Sequence, residues 1–201
     1  MHRILSTFGS AAVFLLLFTQ CFTYNLQTAR TTPKGEVSAG LGGSVLLFTE
    51  PDAFLPALGY GGAMVRYGIS DRMDIGVQGG VFMAPTVDVK YRYVGTNESP
   101  WAVSTGISLG GFADRTGQSI IQTSSLNVAS YYPNDWLAIT TGIRPVVSFI
   151  SSTPDISGQA TLGFRFGRTW GFTVEGGALV NSIFDTPNVT PSASIGISRG
   201  F

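Results

Sequence analysis

The sequence contains one cysteine and one histidine, and these shortages exclude several classes of protein. Cys21 and His2 are the only residues of their kinds among 201 residues. The chain therefore has neither a disulfide framework nor the cluster of Cys and His ligands that zinc sites need. A neutral imidazole is the usual catalytic base near neutral pH, and His2 lies in a segment that we expect to be removed. We predict no catalytic residue, no metal site and no cofactor, and hence a protein that is not an enzyme.

Charged residues are also scarce, at 12% of the chain, which is about half of the ~25% typical of soluble domains. The 12 basic and 12 acidic residues balance to a formal net charge of zero, so charge gives no reason to expect a nucleic-acid partner. Beyond the N-terminus, no apolar run reaches the ~18 residues of a membrane-spanning helix. Low charge with dispersed apolar residues indicates a protein whose outside faces lipid and whose inside faces water.

The first 34 residues form three short segments. Residues 1–20 are predicted to be a signal peptide, because a short positive start is followed by an apolar core at 11–18 that is too short for an anchor. Cys21 follows directly, and the run from Phe18 to Cys21 is similar to the lipobox of bacterial lipoproteins, although Phe18 and Gln20 are relaxed matches to it. Two alternatives stay open: acylation of Cys21, or a plain signal peptide. Residues 21–34 are polar without a period, which predicts an N-terminal tether.

Between Gly35 and Phe201, ten segments alternate apolar and polar residues with a period of two, which is typical of β-strands. In 86–94 both faces are clear, because Val87 and Val89 alternate with Asp88 and Lys90. In 119–132 the apolar alternation consists of Leu126, Val128 and Tyr132, which predicts that these three side chains face outward. Pro145 lies inside a strand-like segment and predicts a bulge.

Aromatic residues near the connections fall into two levels. Two aromatic levels around an apolar band are typical of a barrel that crosses a membrane. The fold class predicted is therefore all-β: a closed antiparallel up-and-down transmembrane β-barrel of about ten strands over 35–201, with both termini periplasmic. A soluble lipocalin-like barrel is the less favoured alternative. The first level consists of Tyr67, Tyr93, Trp101, Tyr132, Trp136, Phe166, Trp170 and Phe201, and the second of Phe48, Phe82, Phe112 and Phe149.

Charged residues within the strands fall almost entirely on the polar face, and Arg199 is the exception. Ten strands enclose a bore only modestly wider than that of eight-stranded barrels, which side chains fill. Opposite charges in so narrow a space would pair across it. The pattern thus predicts a lumenal charge ladder and a largely closed lumen. The ladder consists of Glu36, Arg66, Asp74, Asp88, Lys90, Arg92, Arg144, Arg165 and Glu175.

The end of the chain resembles that of small bacterial outer-membrane β-barrel proteins, of the kind that includes the OmpA barrel, OmpX and OmpW. Ala193, Ile195, Ile197 and Phe201 match the pattern of alternating apolar residues before a terminal aromatic, while Arg199 departs from it. The resemblance implies a location in the bacterial outer membrane, lipid as a partner, and recognition of Phe201 by the barrel-assembly machinery. It leaves the oligomeric state open.

Two functions remain at this point. The first is a non-catalytic barrel with a charge-paired, largely closed lumen and a structural or surface role. The alternative is a narrow channel or conduit for small or apolar solutes. The near balance of basic and acidic residues in the predicted ladder favours the first.

Overall fold

A computed structural model describes residues 27–47, 57–81, 83–113, 119–150, 153–181 and 188–199. These residues form one sheet of ten antiparallel strands, in which β1 also pairs with β10, so that the sheet closes into a barrel. The prediction of a closed ten-stranded antiparallel barrel is confirmed. The strands are β1 Val37–Leu47, β2 Ala57–Ser70, β3 Met73–Val81, β4 Met83–Val94, β5 Trp101–Ala113, β6 Ser119–Asn134, β7 Leu137–Ile150, β8 Thr153–Phe166, β9 Trp170–Asn181 and β10 Asn188–Arg199.

Closure depends on the first and last strands. The β1–β10 ladder runs from Ala39 opposite Arg199 to Leu46 opposite Ser192. An unpaired sheet edge cannot be tolerated in hydrocarbon, since its backbone N–H and C=O groups would lack partners there. The end of the barrel at which β1 begins and β10 ends is called the terminal end below. Among the described residues, no helix is long and apolar enough to cross a membrane.

The outer surface carries the predicted apolar band. Ile107, Leu41 and Ile143 are 69%, 61% and 62% exposed, while serine, threonine, glutamine and charged side chains on the alternate positions are buried inside. Aromatic residues at the terminal end lie on the outside in pairs: the ring centroids of Trp101 and Tyr131 are 4.5 Å apart. This arrangement is typical of the aromatic girdle at a membrane interface.

The predicted orientation of β6 is wrong. Leu126, Val128 and Tyr132 face inward and are at most 9% exposed, and so Tyr132 does not belong to the outer aromatic level. Pairing with β5 fixes this, because Ser125 lies directly opposite the lipid-facing Ile107. Directly paired residues share a face, so an apolar alternation on one strand cannot override the register of its neighbours.

The polar side chains that β6 turns outward satisfy one another. Thr105 Oγ1 donates to Asn127 Oδ1 at 3.0 Å, and Asn127 Nδ2 donates to Ser125 Oγ at 3.3 Å. A polar group on a lipid-facing wall costs less when it is hydrogen-bonded. This small network explains how β6 can expose polar residues there.

The bulge predicted at Pro145 is absent. On one side β7 pairs with β8 without interruption through Pro145 and Gly158. On the other side, β7 pairs with β6 at Ser124–Val146 and again at Asn127–Ile143. These two pairs belong to the same register, so the pairing is interrupted around the proline but the register does not shift. Proline removes one backbone donor, and in this strand the loss stays local.

The orientation of β6 can be tested with a matched pair of substitutions on adjacent residues. Val128→Asn should destabilise the barrel by about 1–3 kcal/mol, because it buries an amide on an apolar inner surface. Asn127→Leu should be neutral or slightly stabilising, because leucine transfers favourably into the bilayer. Urea unfolding of the protein inserted in lipid vesicles measures both. The reverse order of stabilities would mean that Val128 faces lipid after all.

Candidate functional site

The N-terminal segment lies inside the barrel. Residues 27–33, called the strap below, enter the lumen at the terminal end, where Gly35 N donates to Gly68 O at 2.8 Å. Gln27, Ala29 and Thr32 are 2%, 0% and 0% exposed. The segment 21–34 was predicted to be a tether, and at least from Gln27 onward it is packed against lumenal side chains.

Backbone amides of the strap donate to side chains of the wall. Thr32 N donates to Asp74 Oδ2 at 2.8 Å, and Ala29 N donates to Ser130 Oγ at 2.8 Å. Asp74 belongs to β3 and Ser130 to β6, on well-separated parts of the wall. The strap is therefore held across the lumen, and each of these buried amides finds the acceptor it requires.

Lys90 of β4 donates hydrogen bonds to backbone carbonyl groups of the strap. Its Nζ donates to Arg30 O at 2.9 Å and to Thr28 O at 3.3 Å, and it lies 3.6 Å from Asp74 Oδ2. A lysine that is 0% exposed needs both a countercharge and hydrogen-bond acceptors. Lys90 thus links the strap to the charged cluster of the wall.

The strap also has an apolar contact, which accounts for the orientation of β6. Ala29 belongs to a buried cluster whose wall residues come from β5, β6 and β7. The inward apolar residues of β6 therefore form the seat of the strap and not a lipid-facing surface. The cluster consists of Ala29, Ala102, Leu126, Val128, Tyr132 and Ala138.

The strap passes very close to β2 where it enters the lumen. A Cβ atom added at Gly68 would lie 2.0 Å from Pro33 O and 2.5 Å from Thr32 O. Both atoms belong to backbone and cannot rotate away. Only glycine at this position of β2 lets the strap enter along its present path.

A charged cluster lies next to the strap. Arg66 Nη2 is 2.5 Å from Asp74 Oδ1 and 2.6 Å from Asp88 Oδ1. The pair of Arg66 and Asp88 spans β3 at Gly76, where an added Cβ would be 2.5 Å from Arg66 Nη1. With Lys90, the cluster contains two basic and two acidic groups, all at most 8% exposed. Such pairs are screened by salt much less than surface pairs are.

The remaining residues of the predicted ladder occupy three other places. Arg144 and Glu175 are buried in the lumen and interact electrostatically with each other and with Tyr60. Arg92 and Arg165 are buried at the terminal end. Glu36 does not belong to the buried ladder, because it precedes β1 and is exposed. Eight of the nine predicted residues therefore line the lumen, five of them basic and three acidic.

Sequence reasoning missed the residues of the strap itself. Thr28, Ala29, Arg30 and Thr32 had no period and no motif, so nothing in the sequence distinguished them from a solvated tether. The available signal was the mismatch on β6, whose apolar face conflicts with its neighbours. Cys21 and Phe201, the predicted lipidation site and assembly signal, lie outside the described residues.

Among the described residues, no group of three or more His, Cys, Asp or Glu side chains could hold a metal ion. The acidic groups near the strap are engaged by Arg66 and Lys90. Acids that are engaged in this way are poor candidates for proton transfer, because both charges are already stabilised.

Comparison with solved structures supports the fold. No family model and no curated protein matches the sequence. A structural match with 11% identity covers 89% of this chain and all of an outer membrane channel from Pseudomonas putida F1, with a TM-score of 0.50. An anion-selective porin from Comamonas acidovorans matches with 16% identity and a TM-score of 0.40. That match covers 86% of this chain and 58% of the porin chain. Ail, the attachment invasion locus protein of Yersinia pestis, matches with 12% identity and a TM-score of 0.34. That match covers 83% of this chain and 97% of Ail.

The chain has the fold of the bacterial outer-membrane β-barrels. Its ten strands, closed wall and apolar outer band agree with that fold, and the predicted outer-membrane location agrees with it as well. The protein is a membrane barrel.

The entrance of the strap can be tested at Gly68. Gly68→Ala should displace the strap, because the added methyl group overlaps two backbone oxygens. An arginine-specific protease should then cut after Arg30 roughly tenfold faster than in the native protein, since cleavage follows the population of the opened state. Mass spectrometry of the fragment that begins at Thr31 measures the rate.

The matched control for that variant is Gly59→Ala on the same strand, where an added Cβ meets nothing within 4 Å. Its cleavage rate should equal that of the native protein. Rapid cleavage after Arg30 in the native protein would contradict a strap held in the lumen.

Proposed function

We propose that this protein is a non-catalytic outer-membrane barrel whose lumen is held closed by its own N-terminal strap, with a structural or surface role. The observation that carries the proposal is the position of residues 27–32 inside the terminal end, anchored by Asp74, Lys90 and Ser130. Both termini are proposed to lie on the periplasmic side. Lipid and the barrel-assembly machinery are the proposed partners.

Closure is supported by the way the strap and the charges share the lumen. The strap occupies the space between β3, β4 and β6, and Lys90 ties its carbonyl groups to the cluster of Arg66, Asp74 and Asp88. Opening a water column through this level would require the strap to leave and the cluster to be solvated. Those steps are coupled, because Lys90 and Asp74 belong to both.

A non-catalytic role is supported by the side chains available. No histidine or cysteine occurs between residues 22 and 201, so the barrel lacks the usual base and the most nucleophilic side chain. Several buried serines are paired with another hydroxyl group, as Ser108 and Ser124 are at 2.5 Å. A serine partnered by serine is not activated as a nucleophile.

A channel remains the second candidate, and the part of the lumen beyond the strap favours it. Gln78, Gln122 and Gln159 face inward and are at most 5% exposed, and the carbonyl oxygen of each lacks a hydrogen-bond partner among the described residues. Buried polar atoms of this kind are normally satisfied by water. A hydrated compartment behind the strap would serve as a narrow conduit if the strap moved.

Conductance distinguishes the two functions. The native protein in planar bilayers should show little or no steady current. A variant that lacks residues 27–32 should show discrete small openings with a preference for anions, since the buried lumenal residues include five basic and three acidic side chains. Reversal potentials in a salt gradient measure the preference.

The control for the deletion replaces residues 27–32 by a Gly/Ser segment of equal length, which keeps the spacing but removes every side chain of the strap except that of Pro33. It should conduct like the deletion variant. Large, stable openings of the native protein would move the channel to first place. A silent deletion variant would show that the lumen is closed by the wall alone.

A further inference from the structure

Three guanidinium groups come together at the terminal end, around the side chain of Tyr132. Arg30 belongs to the strap, Arg92 to β4 and Arg165 to β8. Arg92 lies close enough to interact electrostatically with Arg30 and with Tyr132. Arg165 interacts with the same two residues. These groups have no part in the ion pairs that bind Lys90 to Asp74 or Arg66 to Asp88.

The guanidinium of Arg30 is positioned by neutral groups. Its Cζ lies 3.6 Å from the centroid of the Tyr132 ring, and its Nη2 donates to Ser99 O at 3.1 Å. The backbone N of Arg30 donates to the hydroxyl group of Tyr132 at 3.3 Å. The Nε of Arg30 is buried and has no hydrogen-bond partner among the described residues.

Arg92 is similar. It is 2% exposed, its Nη1 donates to Asn97 Oδ1, and its Nη2 donates to Asp71 O at 2.6 Å. The Nε of Arg92 is buried and lacks a partner in the described part of the chain. Amide and carbonyl oxygens satisfy donors but do not neutralise a charge.

Neither Arg30 nor Arg92 forms an ion pair with a carboxylate of the described residues. Of the charged groups around Arg92, Asp71 has an exposed side chain, while Arg72 adds positive charge. Arg165 is 7% exposed, and its Nη1 donates to Gly167 O at 3.0 Å. Among the described residues, Arg30 and Arg92 therefore place two positive charges at the terminal end without a paired carboxylate, which is costly without a compensating anion.

We propose that Arg30, Arg92 and Arg165 form a binding site for a phosphate-type oxyanion at the terminal end of the lumen. Guanidinium forks match the geometry of phosphate oxygens, and several of them together suit an anion that carries more than one charge. The unpartnered Nε donors of Arg30 and Arg92 are the groups that would bind it. The anion is either soluble phosphate or the phosphate of a lipid headgroup that reaches into the mouth.

Because Arg30 comes from the strap, the site is complete only when the strap is in place. Bound phosphate would therefore hold the strap in the lumen. The proposal rests on the position of the strap and does not depend on whether the barrel conducts. If the native protein neither binds phosphate nor conducts ions, the phosphate site is contradicted while the proposed function of a closed barrel is still supported.

The test is calorimetric titration of the full-length protein, in a non-ionic sugar detergent at low ionic strength, with inorganic phosphate as the probe. Saturable binding to about one site per chain is expected. Arg30→Gln should weaken that binding at least roughly tenfold, because it removes one of three converging charges. Arg30 lies in the strap and not in the wall, so the barrel of this variant should still fold.

The matched control is Arg168→Gln. Arg168 is also near the terminal end, but it is 72% exposed and paired with Asp135 at 3.3 Å. Its phosphate affinity should equal that of the native protein. Arg92→Lys, which keeps the charge but loses the planar fork, should weaken binding less than Arg30→Gln does.

A second titration with short-chain phosphatidylglycerol in the same detergent identifies the source. Binding of inorganic phosphate that depends on Arg30 assigns the site to soluble phosphate. Binding of the lipid alone, with the same dependence on Arg30, assigns it to a headgroup. The proposal is overturned if neither probe binds saturably, or if Arg30→Gln and Arg168→Gln bind as tightly as the native protein.

Discussion

A closed sheet in a bilayer turns every second side chain inward, and this constraint determines the rest of the molecule. Pairing of β1 with β10 leaves no edge, because hydrocarbon offers no partner for backbone groups. It also confines Arg66, Asp74, Asp88 and Lys90 to a narrow space away from bulk water. Each of these charges needs a countercharge, and the wall supplies it through direct pairs of 2.5–3.6 Å. The closed wall thus requires a paired interior.

The strap completes the interior that the wall leaves unfinished. Lys90 lies 3.6 Å from Asp74 Oδ2, and its ammonium group also donates hydrogen bonds to the carbonyl groups of Thr28 and Arg30. Asp74 accepts from the strap in return. The apolar inner face of β6 is covered by Ala29, since open water on that face would cost free energy. Polar and apolar requirements are therefore met by the same short segment.

The sequence was sufficient for the wall and insufficient for the strap. Alternation with a period of two predicted all ten strands, and eight of the nine charged residues that the sequence assigned to the lumen are buried in the structure. The orientation of β6 was misread because Leu126 and Val128 look lipid-facing when their partner Ala29 is unknown. Glu36 was expected in the lumen because the alternation of apolar and polar residues does not by itself show where a strand begins. Contacts between the strap and the wall join residues about 40 to 100 positions apart, and no local pattern records them.

Hydrogen exchange of individual strap amides tests the central claim most directly. The protein would be placed in lipid nanodiscs and followed by NMR after transfer to deuterated water. The amides of Ala29 and Thr32, bonded to Ser130 and Asp74, should exchange far more slowly than a free peptide, at rates comparable to those of the strand amides. Exchange of both amides at the rate of an unfolded chain would show that the strap does not occupy the lumen, and would contradict the account.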